Sequence, residues 1–385
     1  MTDYSRDRFA VFCVRLQRIF RPPSEAPLRT PGRTAAVGVL LGALLACSDG
    51  GPAAAPSPTG SRTPTPTPSR PRATATTAPA TVTLAFGGDV HFEGVIASRL
   101  SRDPASVFAT IAPLLRKADL AVVNLETAVT TRGTAEDKEF TFRAPPTAFD
   151  ALRSAGVDVV TAANNHGMDF GTVGLQDTLA ASERAYFPLI GIGRNANEAW
   201  APYYATIRGS RLAIIAATHM LDDSLRTRWT ATNSRPGLAS AYDTVRLVAT
   251  VQQARRQAQT VVVFLHWGTE GKTCPTAKQQ ALARLLSDAG ADVVVGSHAH
   301  RLLGAGRLGR TFVAYGLGNF VFYARGGAGA QTGVLLVAVS GRRVLRYRWE
   351  PALISGRGTV PLTGTAATRA SAAWEKLRDC TGLTR

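Results

Sequence analysis

The chain has 385 residues and carries 44 Lys and Arg against 27 Asp and Glu, a formal charge of +17. Length alone admits two domains, but a lead of about eighty residues lacks core-forming composition and leaves one folded part of roughly three hundred residues. The basic excess would suit nucleic acid, yet only five of the 44 are Lys and the arginines form no long run, so nucleic acid is excluded as a partner; the four cysteines include no CxxC pair and are too few for a disulfide scaffold.

Residues 1–33 form an Arg-rich, irregular lead, long for the basic region ahead of a secretory signal; it reads either as an upstream start or as an extended cytoplasmic segment. Residues 34–47 begin with the apolar run TAAVGVLLGALL, directly after Arg33. It is too short to span a bilayer comfortably as a helix and has the setting of a secretory h-region. It ends in Leu44-Leu45-Ala46-Cys47, which resembles a bacterial lipobox. That resemblance implies cleavage before Cys47, acylation of its thiol, and an extracytoplasmic lipoprotein anchored to the membrane at the cell surface. Residues 48–80 are mostly Pro, Thr, Ser and Ala. Such a stretch cannot offset its own ordering entropy and reads as a disordered, polyproline-biased tether.

The folded domain is expected over residues 81–351, with 352–385 a C-terminal tail packing on it. TVTLAFGGD, from Thr81, reads as a strand entering a glycine turn. Residues 105–117 read as a helix, Leu120–Asn124 as a strand, Phe149–Gly156 as a helix and Val157–Ala162 as a strand. Gly171–Ala185 is helical, and Tyr203–Ala217 is a hairpin turning at Gly209-Ser210. A helix over Val245–Ala258 leads into the strand Thr260–Leu265. Thr276–Ala289 carries Ala277, Ala281, Leu282, Leu285 and Leu286 at helical spacing. Strands follow at Val293–Gly296, Thr311–Tyr315, Gly333–Val339 and Val344–Glu350. Strands alternating with helices and closing in a meander predict an α/β domain with mixed sheets.

All six histidines stand at or just past the end of an apolar run, where open α/β sheets place ligands and catalytic groups. His298 and His300 are spaced i and i+2 after VVVG, so in an extended segment they would point to one side. Asp89 and His91 share that spacing. Glu126 follows LAVVN. Asn164, Asn165 and His166 follow VVTAA, where neighbouring side chains can diverge toward a metal and a substrate. His266 follows VVVFL. These are mixed N and O donors with carboxylates and no thiolate, a set that suits Mn, Fe or Zn. They suffice for two divalent metal ions sharing a bridging carboxylate, and such a centre attracts phosphate or carboxylate groups. Asn319, after another strand, either completes the pocket wall or makes a structural turn. His219 reads as structural or as a substrate-pocket residue. Cys274 and Cys380 are the only cysteines of the exported domain, and an oxidising exterior favours their pairing.

GGDVHFEG, VVNLETAVT, AANNHGMDFG, FLHWGTE, VVVGSHAH and YGLGNFVF, in that order, resemble the bacterial CapA family, the capsule-synthesis proteins of poly-γ-glutamate. The resemblance covers roughly Thr81 to Pro351. That family resembles the calcineurin-like metallophosphatases, which implies a β-sandwich flanked by helices. By the same resemblance Asp89, His91 and His300 would bind one metal, and Asn165, His266 and His298 the other. Glu126 would bridge them, and His166 would be the unligated catalytic histidine. The pattern departs from the phosphatases twice: Glu126 stands where they have Asp, and Gly296-Ser297 precedes His298 where they have Gly alone.

The implied function is a surface lipoprotein in the synthesis or export of an anionic, poly-γ-glutamate-like capsule polymer. A dinuclear hydrolase- or transferase-like site would act on that polymer or on a phosphoester, with a membrane polymer-synthase complex as partner. Two alternatives stand beside it: a general extracytoplasmic metal-dependent phosphoesterase, and a non-enzymatic polymer-binding assembly subunit of a membrane synthase.

Overall fold

The strand Thr260–Trp267 is buried at every position, as an apolar run covered on both faces must be. Its side chains alternate between two core layers. Val262 and Phe264 face one, and Val261, Val263 and Leu265 the other. The same alternation runs through Ser210–Thr218 and Val293–His298, and it dictates a layered architecture. The structure, a computed structural model, describes residues 79–323 and 326–385. The Arg-rich lead, the 34–47 segment with Cys47, and the tether through residue 78 lie outside the described residues.

The first sheet runs in the order Gly358–Pro361, Arg343–Ser355, Gln331–Ser340, Val82–Val90, Leu120–Leu125, Val159–Thr161 and Leu189–Ile190, with Asn319–Val321 pairing alongside Val82–Val90. The second runs Ala305–Leu308, Thr311–Ala314, Val293–His298, Thr260–Trp267, Ser210–Thr218 and Tyr203–Ile207. Central pairs are parallel, and the outer meanders are antiparallel. Val82, Leu84 and Phe86 of the first sheet share one core with Ile214, Phe264, Val293 and Val295 of the second. Helix Ala148–Ala155 covers the outer face of the first sheet through Phe149 and Leu152. Helices Thr244–Gln257 and Ala277–Ala289 cover the second through Leu247, Val251, Leu282 and Leu286. This is the expected β-sandwich flanked by helices. Among the described residues no helix is long and apolar enough to cross a membrane.

Two expectations are corrected. The helix expected over 105–117 is instead a 3-10 turn, Pro104–Val107, and a separate short helix, Ala112–Leu115. Pro113 has no N–H, and its ring would clash with a carbonyl one turn back, so it fits only the first turn of a new helix. An unforeseen helix, Val95–Arg102, precedes them. The domain boundary at residue 351 falls inside the strand Arg343–Ser355. The chain beyond it adds the edge strand Gly358–Pro361 and the helix Gly364–Lys376, whose Trp374 stacks on Trp349 with ring centroids 5.1 Å apart.

Candidate metal centre

The parallel strands of both sheets deliver their polar residues at their C-terminal ends, and the two sets meet across the sandwich. Asp89 follows a bulge in Val82–Val90, where the register shifts between Phe86 and Asp89. Gly88 makes this possible: a Cβ there would lie 1.9 Å from the Gly318 carbonyl oxygen. The close approach lets the Asp89 N–H donate to Gly318 at 3.0 Å. Asn124 Nδ2 then donates to Asp89 Oδ1 at 2.9 Å, and the His298 N–H, from the second sheet, donates to Oδ2 at 3.2 Å.

Two clusters of donor atoms form around one carboxylate. Glu126, His266 and His298 make one, and Asp89, Glu126 and His300 the other, with the atoms of each within 4.8 Å of one another. Glu126 Oε1 lies 3.5 Å from His266 Nε2 and 4.0 Å from His300 Nε2. Glu126 is fully buried, and neither of its oxygens has a hydrogen-bond partner. Burial and the neighbouring Asp89 raise its pKa well above the usual carboxylate range. A buried carboxylate left this way is costly, and a divalent cation would satisfy both of its oxygens; the donor set fits one.

His266 is oriented from both ring nitrogens. Nε2 sits 2.6 Å from Asn165 Oδ1, and Nδ1 sits 2.9 Å from Ser297 Oγ and 3.2 Å from Asn124 Nδ2. His298 Nδ1 lies 3.1 Å from His266 Nε2. Burial holds the His266 pKa well below its ordinary value and pushes that of His298 down to about 3. Both imidazoles are thus neutral, the form that ligates a metal. For His300, burial opposes the charge, but Glu126 and Asp89 outweigh it and raise the pKa to about 10. His298 and His300 both have left-handed backbone, φ 94° and 52°. That conformation is uncommon outside glycine and concentrates at functional sites. Their placement comes from this turn, not from the extended alternation expected of i and i+2, and they serve different clusters.

His166 stands apart from the two clusters. Its Nδ1 is 2.6 Å from Asp169 Oδ2, and its Nε2 faces Glu126 Oε1 at 4.0 Å. Asp169 also receives the Phe142 N–H at 2.6 Å and pairs with Lys138 at 2.7 Å. Lys138 further donates to the Asn165 carbonyl. Asp169, Lys138 and Asn124 were not singled out from sequence, and Ser297 only as a departure from the phosphatase pattern. The first is signalled by its place three residues past His166; Lys138 comes from a loop with no motif around it.

Other expected residues fall elsewhere. The structure does not bring His91 into either cluster. The Glu93 N–H donates to its Nδ1 at 3.0 Å, the Tyr323 N–H faces its Nε2 at 3.3 Å, and its ring stacks on Phe142 at 4.8 Å. Asn164, expected to meet substrate, is fully buried. It donates to Asn124 Oδ1 and the Leu125 carbonyl and accepts from the His166 N–H, so it braces the loop. Asn319 Oδ1 sits 2.8 Å from His300 Nδ1, and its Nδ2 donates to Gly329; it orients the histidine. His219 lies outside the metal clusters, stacked on Tyr242 at 4.3 Å. Cys274 and Cys380 are joined in a disulfide with Cα atoms 5.7 Å apart.

A family described as bacterial capsule synthesis protein PGA_cap matches residues 83–324. The chain is 31% identical over 245 residues to the PGA biosynthesis protein CapA of Bacillus subtilis, covering 63% of this chain and 63% of that protein. It is 32% identical over 223 residues to the capsule biosynthesis protein CapA of Bacillus anthracis, covering 56% of this chain and 53% of that one. The matched region therefore spans less than two thirds of either relative. Among solved structures, a hypothetical protein from Thermus thermophilus is similar at 18% identity and a TM-score of 0.45, over 70% of this chain and 98% of that one.

Proposed function

The chain belongs to the bacterial capsule synthesis protein family, and from that premise we propose that it acts in the synthesis or export of an anionic, poly-γ-glutamate-like capsule polymer through a metal-dependent hydrolase- or transferase-like centre. The observation that carries this reading is Glu126, buried, without a hydrogen-bond partner, and common to both donor clusters. Asp89, Glu126 and His300 would hold one divalent ion. Glu126, His266 and His298, with Asn165, would hold a second. When bound, Mn, Fe or Zn ions supply Lewis-acid polarisation of a substrate oxygen.

The remaining roles belong to the chain's own residues. Asp169 fixes the Nδ1–H tautomer of His166, which leaves Nε2 as the atom that exchanges a proton with a bound substrate. Lys138 holds Asp169 in place by its 2.7 Å pair. Phe142 stacks on the His166 ring at 4.1 Å and limits its rotation and its access to water.

The names of the relatives support a place in a polymer-synthesis system, and a membrane synthase complex is the partner this reading needs. A lipid on Cys47 would hold the domain at the outer surface, and Cys47→Ser should then release the protein into the medium or leave it unprocessed. The central test pairs elemental analysis of the purified protein with assays on phosphomonoesters, phosphodiesters and γ-glutamyl oligomers. Metal-bound wild type should turn over at least one class, and Glu126→Gln should lose both metal and turnover. A metal-bound wild type inert toward every class would replace the enzyme with a polymer-binding assembly subunit.

A further inference from the structure

Next to the metal centre lies a cleft of about 470 Å³, walled by His219, Tyr242, Gly268, Lys278 and Gln279. It shares no ligand with either metal cluster. It is nevertheless tied to the centre, because the His219 N–H donates to the His266 carbonyl at 2.8 Å. The cleft opens on the first turn of the helix Ala277–Ala289, a thirteen-residue helix whose unpaired N–H groups and dipole favour an anion.

Gln279 adds a second and independent observation. Only 3% exposed, it completes a capping box: Oε1 accepts the Thr276 N–H at 2.9 Å, and Thr276 Oγ1 accepts the Gln279 N–H at 3.2 Å. That bond fixes which end of the amide is oxygen. Nε2 is left as a buried donor with no partner. Gly268 makes room for it: φ is 105°, and a Cβ there would lie 2.8 Å from Nε2. Lys278 extends from the same turn. The cleft thus has an aromatic wall on one side, and on the other a cation, a helix N-terminus and a buried donor without an acceptor.

We propose that this cleft is a carboxylate subsite that holds a side-chain carboxylate of an acidic polymer while the neighbouring part of the chain lies at the metal centre. The proposal deepens the polymer reading above and rests on it. Gln279 Nε2 and the N–H groups of Ala277 and Lys278 donate to the carboxylate, and the Lys278 side chain supplies the counter-charge. A phosphate would meet the same donors, so the two sources are separated by experiment.

Calorimetric titration of the purified protein with a γ-linked glutamate oligomer tests it, with a γ-linked glutamine oligomer and inorganic phosphate as comparison ligands. Gln279→Glu is the informative variant. It retains the oxygen that caps the helix, so metal content should stay at the wild-type value, but it replaces the donor with a second carboxylate oxygen; a melting temperature above that of the titration shows that the variant is folded. Affinity for the glutamate oligomer should fall by about tenfold or more, the size of one charge-assisted hydrogen bond. Lys278→Ala should weaken it severalfold, and the glutamine oligomer should bind the wild type more weakly than the glutamate one.

Equal affinity of wild type and Gln279→Glu for the oligomer overturns the subsite while leaving the polymer reading intact. So does loss of binding in Glu126→Gln alone, which would place the polymer entirely at the metals. Phosphate binding that depends on Gln279 without oligomer binding assigns the cleft to phosphate and overturns the carboxylate. Absence of oligomer binding by the wild type overturns the subsite and the polymer reading together, and elemental analysis then stands as the separate measure of the metal centre.

Discussion

Glu126 has no hydrogen-bond partner, and the amides of the surrounding segments bond elsewhere. Asn124 Nδ2 goes to Asp89, Asn164 Nδ2 to Asn124 and Leu125, and Asn319 Nδ2 to Gly329. What faces its oxygens is imidazole, from His166, His266 and His300. Replacing one donor of a shared site leaves the others facing an unsatisfied charge, so Asp89→Ala and His298→Ala should each lower the bound metal, measured by elemental analysis. His166→Ala should keep the metal and lower turnover by ~10²–10⁴-fold, the usual weight of a general acid–base group. Full metal retention in both ligand variants would refute a metal centre built on these clusters. The donors were legible from sequence because each His or carboxylate closes an apolar run. The roles of His91, Asn164 and Asn319 were not. The ring that stacks on His91 comes from Phe142, and the amide partners of Asn164 and Asn319 come from segments distant in sequence, so only the folded arrangement decides whether such a residue ligates or braces.

At the scale of elements, strands were more legible than helices. The buried strands are continuous Val- and Ala-rich runs, whereas Val95–Arg102 buries only Ile96 and Leu100, and Gly364–Lys376 buries only Trp374. So little apolar periodicity gives no helical signal; both helices are placed by packing on the sheet. The disulfide does similar work for the C-terminus. Cys274 lies in the segment between the strand Thr260–Trp267 and the helix Ala277–Ala289, and Cys380 ends the 3-10 turn Leu377–Cys380. The link spans 106 residues of sequence, and closing a loop of that length stabilises by roughly 4–5 kcal/mol at most. The double variant Cys274→Ala, Cys380→Ala should therefore melt at a lower temperature than the wild type and be insensitive to reductant. The wild type should lose stability when dithiothreitol is added. A wild type that melts identically with and without reductant would show that the link contributes nothing.

At the scale of the whole molecule, folding concentrates histidines in a dry interior, and this sets a proton balance. Burial lowers the pKa of His91, His166, His219, His266 and His298, to about 3 for His91 and His298. In the unfolded chain each would take up its proton near pH 6.5. Between that pH and about 3 the unfolded state therefore binds more protons than the folded one, and stability falls as pH falls, by about 1.4 kcal/mol per pH unit for each excess proton on a buried ring and by less for the half-buried His219. His300 has the opposite sign. Its pKa is raised to about 10, so its contribution is complete below pH 6.5 and is lost as pH rises toward 10. The raised pKa of Glu126 offsets part of the acid-side loss, but five lowered histidines outweigh it. Chelator-treated protein should show a urea midpoint that drops from pH 7.5 to 6 and again to 5. Adding Mn or Zn at pH 7.5 should raise the midpoint, since a ligand that binds only the folded state stabilises it. The gain should shrink at pH 5, because burial raises the pKa of Glu126 and the metal must compete with a proton for that carboxylate as pH falls. A midpoint that holds or rises on acidification would mean that the histidines are solvated rather than clustered between the sheets. The donor geometry drawn around Glu126 would fall with it.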